Sequence, residues 1–242
     1  MRFRSGLLIG IFGLIVVLLG GWFFTLAIAL LTYLALLEFF RMAEFKGIKP
    51  ATKTTLFSCF LIIITTYLEA IGLLEGEISN SILPISSVGI CTWLLLQPKS
   101  GTISDIAASI FGLIYLGFLP SYWIKLRGLE SVLLSPNKGF LSFENLSNTT
   151  GLHLTLTSCF LIVASDIGSY FIGKSFGKRS LSPISPSKTV EGLIGGIFCS
   201  ILLAIFFAFL LNWENAFLVG IFYGILISLM ALVGDLIESM MK

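Results

Sequence analysis

The stretch that decides the fold is residues 152–172, which read LHLTLTSCFLIVASDIGSYFI. Its length of about 20 residues is what an α-helix needs to cross the ~30 Å hydrocarbon core of a bilayer. The run contains one carboxylate, Asp166. Because an ionisable group in hydrocarbon is costly, Asp166 is a candidate functional residue, and the alternative is an aspartate paired with a lysine for packing.

Similar apolar segments fill the rest of the chain. Of its 242 residues, 56% are hydrophobic and 12% are charged, whereas a soluble domain carries about 25% charged residues. The sequence therefore predicts an all-α, polytopic transmembrane helix bundle of about eight membrane helices. The expected segments are Leu7–Leu19, Trp22–Phe40, Thr54–Gly72, Ser81–Leu96, Ile103–Trp123, Leu152–Ile172, Leu193–Leu211 and Ala216–Val233.

The first two segments are separated only by Gly20-Gly21, and Trp22 follows. A glycine pair permits a tight turn, and a tryptophan at that point is typical of a membrane interface. We therefore expect a helical hairpin here, because residues 5–40 are too long for one crossing.

The distribution of basic residues predicts the orientation. If both ends lie on one side, that side collects all 15 Lys and Arg residues except Lys125, Arg127 and Lys138. Cytoplasmic loops carry an excess of Lys and Arg, so both ends of the chain are expected in the cytoplasm. The longest connection on the opposite side is Lys125–Gly151.

The cysteines and the single histidine carry little signal. Cys59, Cys91, Cys159 and Cys199 lie in apolar segments without a C-x-x-C pair, which is typical of small residues in helix packing. His153 has no second histidine at ligand spacing, so an interfacial residue is favoured over a metal ligand.

A basic loop follows Asp166. Asp166, Tyr170 and Gly173 have the spacing i, i+4, i+7, so they share one helix face, and the helix is expected to end at Gly173-Lys174. Cations beyond that end predict a site for a polyanion such as a nucleotide or a phospholipid phosphate. They are Lys174, Lys178, Arg179 and Lys188.

Residues 168–175, GSYFIGKS, formally match the P-loop pattern G-x-x-x-x-G-K-[ST]. That pattern binds phosphate only between a strand and a helix, where free backbone N–H groups surround the anion. Here the first half continues an apolar helix, whose N–H groups are already bonded. A true P-loop is therefore not expected, although Lys174 can still bind phosphate.

A second polar cluster, GDLIES, occupies residues 234–239 at the end of the last apolar segment. Asp235, Glu238 and Ser239 have the spacing i, i+3, i+4, so they can face one point. One or two carboxylates together with substrate phosphates are the usual ligands of Mg²⁺. The predicted topology places this cluster on the same side as the basic loop, which favours a site over wetted helix-end charges.

Between the two clusters, residues 185–189 read SPSKT and supply hydroxyls, one lysine and free backbone N–H groups. Pro183 and Pro186 are expected to keep this stretch out of a helix. Lys188 or Thr189 is expected to precede the next helix, whose N-terminal N–H groups can also bind an anion.

These residues resemble the phosphatidate cytidylyltransferase (CDP-diacylglycerol synthase) family. Three motifs carry the resemblance: Asp166-x-x-x-Tyr170-x-x-Gly173-Lys174-x-Phe176-Gly177-Lys178, Ile184-Ser185-Pro186-Ser187-Lys188-Thr189-x-Glu191-Gly192, and Gly234-Asp235-Leu236-x-Glu238-Ser239-x-x-Lys242. Their order and spacing agree over the last third of the chain. Softer likeness extends to Gly20-Gly21-Trp22, Glu38 and Gly112–Arg127, and the cyanobacterial and plastid branch is the most similar.

The resemblance implies that a nucleotidyltransferase converts CTP and phosphatidate to CDP-diacylglycerol and pyrophosphate with Mg²⁺ at a membrane-embedded site. The implied partners are these substrates and membrane lipid, not nucleic acid, and a homodimer is possible. The catalytic candidates are Asp235, Asp166 and Lys188, and the metal candidates are Asp235, Glu238 and Asp166. The substrate-binding candidates are Lys174, Lys178, Arg179, Ser185, Ser187, Lys188, Thr189, Tyr170 and Ser239. Family members often have a basic residue in place of Ser187, which weakens that position.

The resemblance also divides the integral membrane domain 1–242. N-terminal helices are expected in residues 1–100, a middle helix and outer loop in 101–150, and the catalytic region in 151–242. The family signature continues beyond Lys242, so the expectation is a C-terminally truncated chain that lacks a further helix and a second metal-binding aspartate.

Two alternatives stay open. A CTP-dependent lipid kinase, such as a dolichol or phytol kinase, would use a similar nucleotide site. A transporter would use Asp166 as an intramembrane ion site, but no inverted repeat or broken-helix pair is visible. In each case we expect an integral membrane protein of a cell inner membrane or of a plastid or thylakoid-type membrane.

Overall fold

The computed structural model describes residues 2–97, 101–129, 150–182 and 185–241, apart from the side chains of residues 2–5, 7, 8, 186 and 187. The expected outer loop therefore lies largely outside the described residues, as do Lys99, Lys138, Pro183 and Lys242. The helices are α1 (Arg2–Leu19), α2 (Gly21–Phe45), α3 (Thr52–Ala70), α4 (Ile78–Leu95), α5 (Ile103–Arg127), α6 (Thr150–Phe176), α7 (Val190–Leu210) and α8 (Ala216–Met241). The strands are β1 (Ser180–Ser182) and β2 (Ser185–Thr189).

The prediction of an all-α polytopic membrane protein is confirmed. Within the described ranges, the helices α2 to α8 are the seven that are long and apolar enough to cross a membrane. The described apolar part of α1, Ile9–Leu19, is shorter. The hairpin of β1 and β2 is an addition to the predicted helices, and the chain divides into two compact units, Met1–Leu152 and His153–Lys242.

The glycine pair separates the first two helices as predicted. Gly20 and Gly21 have φ angles of 62° and 48°, in the left-handed region that favours glycine. The buried Arg127 guanidinium donates to the carbonyl oxygens of Val17 (Nε, 3.0 Å) and Leu18 (Nη2, 3.5 Å), which satisfies acceptors that the end of α1 leaves without helical partners. A Cβ on Gly20 would lie 2.5 Å from this guanidinium, so a larger residue has no room here.

The first unit has its core between α2, α3, α4 and α5. Apolar side chains from these helices and from Ala51 pack together with little exposure. They are Leu36, Phe40, Cys59, Ile62, Ile90, Leu94 and Leu113.

The start of α5 is held by a capping box that the sequence analysis did not identify. The Thr102 side chain accepts from the Asp105 N–H, and the Asp105 carboxylate accepts from the Thr102 N–H at 2.7 Å. The same carboxylate accepts from the Lys49 N–H at 2.6 Å. Asp105 therefore ties the α2–α3 connection to α5.

The middle of α5 is a π-helical stretch, Gly112–Phe118, which precedes Pro120. Proline lacks the N–H that would close the regular helical bond to the preceding turn. Widening of the helix just before a proline is one way to accommodate that missing bond.

The second unit is built from α6, α7 and α8 packed through small residues. A Cβ on Gly220 or Gly224 of α8 would lie 2.7 Å from the Cα of Ile205 or Ile201 of α7. Ser200 Oγ donates to the Gly224 carbonyl oxygen at 3.1 Å. Close backbone approach with hydroxyl hydrogen bonds is the usual way that membrane helices associate.

Hydroxyl pairs also link α6 to α8. Ser165 Oγ and Ser228 Oγ lie 2.7 Å apart, and both residues are buried. Ser158 Oγ lies 2.6 Å from Tyr223 Oη. These contacts set the position of α6, which carries Asp166, against α8, which carries Asp235.

Candidate functional site

The end of α6 lies further along the chain than predicted. The expected end at Gly173-Lys174 is wrong, because the helix continues to Phe176 and places Lys174 in its last turn. The chain can pass Thr189 closely at Gly177 because this residue has no side chain. A Cβ there would lie 2.7 Å from Thr189 Cγ2. Residues 168–175 are wholly helical, which confirms that they form no P-loop.

The basic loop leads into the two-stranded hairpin. Ser180 pairs with Thr189 and Ser182 pairs with Ser185 in antiparallel register. This local sheet explains why the stretch is not helical, as the prolines predicted, although the strands themselves were not predicted. The hairpin brings the chain back to the start of α7.

A carboxylate at the start of α7 fixes the loop. Glu191 Oε2 accepts from the backbone N–H groups of Lys178 at 3.0 Å and Arg179 at 3.3 Å. The Lys178 and Arg179 residues are themselves exposed. Glu191 therefore holds the loop backbone, while Lys178 and Arg179 stay exposed.

The α7 start agrees with the prediction. Thr189 is the N-cap of α7, and its side chain accepts from the Gly192 N–H at 3.1 Å. Gly173 and Gly192 lie close together at this point, since a Cβ on Gly192 would be 3.2 Å from the Gly173 Cα. The end of α6 and the start of α7 are thus in direct contact next to Lys188.

Lys188 joins the two polar clusters. Its ammonium Nζ forms an ion pair with Asp235 Oδ2, and the two side chains are 28% and 44% exposed. The charges of Asp166 and Glu238 also act on this ammonium. The structure therefore brings together Asp166, Lys188, Asp235 and Glu238, which lie on α6, β2 and α8.

The environment of Lys188 has opposing effects on its charge. Partial burial lowers the pKa of the Lys188 ammonium below its ordinary value, because the charged form loses solvation. The nearby carboxylates of Asp166 and Glu238 oppose this by favouring the charged form. The net shift is downward, so desolvation is the larger effect.

The remaining substrate-binding candidates differ in their exposure and in their contacts. Lys174 is exposed, with its Nζ 5.6 Å from the Tyr170 ring centroid and 3.5 Å from Tyr170 Oη. Ser185 is buried, at 8% exposure. The side chain of Ser187 lies outside the described residues. Ser239 Oγ donates to the Asp235 carbonyl oxygen at 2.8 Å, so its proton is used within α8 and its lone pairs stay available.

The donor chemistry fits Mg²⁺ bound with a substrate rather than a site built from protein alone. Among the described residues, no three His, Cys, Asp or Glu side chains are grouped closely enough to hold a metal ion. Mg²⁺ usually takes one or two carboxylates plus substrate phosphates and water, which Asp235 and a neighbouring carboxylate can satisfy.

Sequence reasoning missed the role of Glu191 and the contact between Lys188 and Asp235. Glu191 lies two residues after the Thr189 N-cap, where a carboxylate is favoured by the helix dipole, so its position was a usable signal. The Lys188–Asp235 pair joins residues far apart in the sequence, and only the packing of α6, α7 and α8 brings them together.

Comparison with known proteins identifies the family of the chain. The model of the cytidylyltransferase family matches residues 1–242. A phosphatidate cytidylyltransferase of Synechocystis is 42% identical, over 93% of this chain and 78% of that protein. The chloroplastic phosphatidate cytidylyltransferase 5 of Arabidopsis thaliana is 34% identical, over 100% of this chain and 62% of that protein. A phosphatidate cytidylyltransferase of Bacillus subtilis is 28% identical, over 100% of this chain and 83% of that protein.

No solved structure matches this chain significantly. The family match covers every residue that forms the cluster around Lys188. The apolar helices make the protein an integral membrane protein, and the family match makes it a nucleotidyltransferase. The chain belongs to the cytidylyltransferase family.

Proposed function

We propose that this protein transfers CMP from CTP to phosphatidate and produces CDP-diacylglycerol and pyrophosphate in phospholipid biosynthesis. The relatives that carry the name phosphatidate cytidylyltransferase support the choice of reaction. The observation that supports its location is the ion pair of Lys188 with Asp235, which the charges of Asp166 and Glu238 also affect, next to a loop with exposed cations.

In this reaction a phosphatidate oxygen attacks the α-phosphorus of CTP. The new bond joins that oxygen to phosphorus, and the bond between the α-phosphorus and the bridging oxygen to the β-phosphorus breaks. Pyrophosphate leaves with the electron pair of that bond. Phosphoryl chemistry of this kind depends on positioning and on neutralising charge, which a cluster of cations supplies.

The cations divide between two tasks in this proposal. Lys174, Lys178 and Arg179 bind the triphosphate of CTP and the phosphatidate headgroup, because their side chains are exposed at the end of α6 and in the loop after it. Lys188 binds a phosphate next to the carboxylates. Tyr170, Ser185, Ser187, Thr189 and Ser239 are the proposed polar contacts around these phosphates.

Asp235, with Asp166 and Glu238, is the proposed holder of Mg²⁺. When bound, the ion would supply positive charge that offsets the charge of the CTP phosphates. Asp235 is the first choice as a ligand because its side chain is 44% exposed and therefore reachable by an ion and a substrate together. Glu191 and the hairpin support the site by fixing the loop backbone.

The proposed active site faces the cytoplasm, and both ends of the chain lie on that side. The distribution of Lys and Arg supports this orientation. Cysteine-accessibility labelling at the Lys178 and Leu73 positions would test it, because the predicted topology puts these residues on opposite sides of the membrane. A homodimer stays a prediction, which crosslinking in native membranes would test.

Isotope placement tests the reaction. Membranes containing the full-length protein, phosphatidate and Mg²⁺ receive CTP labelled with ³²P at either the α- or the γ-phosphorus. We expect the α label to enter chloroform-soluble lipid and the γ label to appear in pyrophosphate. Membranes from the same cells without the protein are the control.

The alternatives give different results in the same experiment. A CTP-dependent lipid kinase would move the γ label into lipid, which would contradict the proposal. A transporter would give solute flux in proteoliposomes without any turnover of CTP, which would contradict it as well.

A further inference from the structure

The ammonium of Lys188 is the positive charge in contact with Asp235. Its Nζ contacts Asp235 Oδ2, and the charges of Asp166 and Glu238 act on the same group. Asp235, Asp166 and Glu238 therefore all act on the charge of Lys188. A divalent cation bound by Asp235 would need the same carboxylate oxygen that Lys188 contacts.

The backbone on both sides of this ion pair is held in place. Lys188 is in β2, next to the Thr189 N-cap of α7, and the loop before the hairpin is anchored by Glu191. Asp235 is in α8, which packs closely on α7 at Gly220 and Gly224. The lysine side chain, with its flexible four-carbon stem, is the part of the pair that can move.

Lys174, in the last turn of α6, has a different environment from that of Lys188. Lys174 contacts the Tyr170 ring and hydroxyl rather than the carboxylate cluster. Replacing Lys174 removes one positive charge, as replacing Lys188 does, but leaves the contact between Lys188 and Asp235 in place. It is therefore a matched control for effects of net charge.

We propose that Lys188 is the resident counterion of Asp235, which a divalent cation must displace, and that the CTP triphosphate is the anion that then receives the lysine. This inference rests on the proposed function. It predicts that Lys188 weakens cation binding to the empty protein. It also predicts that a cation and CTP bind cooperatively, because a triphosphate offers Lys188 a new partner.

Binding of Mn²⁺, measured by electron paramagnetic resonance on the full-length protein in nanodiscs without nucleotide, tests the proposal. We expect Lys188→Met to tighten Mn²⁺ binding about tenfold, since a competing charge is removed from the carboxylates. Lys188→Arg keeps the charge and should bind Mn²⁺ as the wild type does, and so should Lys174→Met. Asp235→Asn should lose the site.

Unchanged or weaker Mn²⁺ binding in Lys188→Met would overturn the proposal, and so would full binding in Asp235→Asn. If Lys188→Met does not fold, acylation of amines in the wild type followed by peptide mass spectrometry gives the same information. Mn²⁺ should raise the labelling rate of Lys188 and leave that of Lys174 unchanged. Equal rates at Lys188 with and without Mn²⁺ would contradict the displacement.

Failure of this inference differs from failure of the proposed function. Wild-type protein that transfers CMP while Lys188→Met fails to tighten Mn²⁺ would refute the counterion role alone. Protein that transfers no CMP but shows tighter Mn²⁺ binding in Lys188→Met would refute the reaction and leave the counterion role intact.

Discussion

The carboxylates that hold helix ends in the first unit differ in use from those near Lys188 in the second unit. In the first unit, Asp105 accepts from the backbone N–H groups of Lys49 and Thr102. Glu69 accepts from the Ser79 N–H at 2.5 Å and pairs with Lys125 at 3.4 Å. Each carboxylate holds the end or the connection of a helix.

In the second unit, Asp235 contacts the ammonium of Lys188, and the charges of Asp166 and Glu238 act on the same group. Asp235 is 44% exposed at its side chain, whereas Asp105 is 7% exposed as a residue. A carboxylate that is buried and bonded to backbone N–H groups stabilises the fold. A partly exposed ion pair contributes little to stability, and charged side chains with perturbed pKa values are common at sites that bind charged substrates.

The first test of this comparison is Asp105→Ala. It removes the acceptor of two backbone N–H groups, so we expect a loss of about 2–4 kcal/mol in the free energy of unfolding. The thermal unfolding midpoint in detergent should fall by several degrees, while CMP transfer by the folded fraction stays near the wild-type value. Asp235→Ala, the matched change in the second unit, should shift that midpoint little. A larger thermal loss in Asp235→Ala would reverse the comparison.

The second test concerns the helix packing that carries Asp235. A Cβ in Gly224→Ala would lie 2.7 Å from the Ile201 Cα, which is backbone and cannot rotate away. We expect a cost of about 1–3 kcal/mol from overpacking, together with lower CMP transfer because α8 shifts. Gly89→Ala in α4 is the control, since nothing lies within 4 Å of its added Cβ. A midpoint equally affected in both variants would show that the α7–α8 contact is not tight.

Much of the fold follows from hydropathy and turn chemistry. The apolar runs predicted the helices, because in lipid only a helix lets a single chain segment satisfy its own backbone hydrogen bonds. The Gly20-Gly21 break was also predicted, and Thr189, the N-cap of α7, was one of the two residues expected to precede that helix. The helical state of residues 168–172 followed from their apolar context, whereas the continuation to Phe176 did not.

What the sequence could not supply depends on tertiary contact. Helix α6 continues past Gly173, and Thr189 and Gly192 lie close to that end. The hairpin forms within one short polar stretch that has no hydrophobic alternation to signal strands. The residue types of the candidate site were predictable, but the contact of Lys188 with Asp235 requires the packed helices.

The most direct test of the account compares Asp235→Asn with Asp105→Asn for transfer of the α-³²P label from CTP to lipid, normalised to the amount of folded protein. The account predicts a loss of about 10³-fold or more for Asp235→Asn, because the substituted side chain keeps its shape and loses its charge. It predicts near-wild-type transfer for Asp105→Asn. Near-normal turnover by Asp235→Asn, or an equal loss in both variants, would contradict the claim that the carboxylates around Lys188 perform the chemistry.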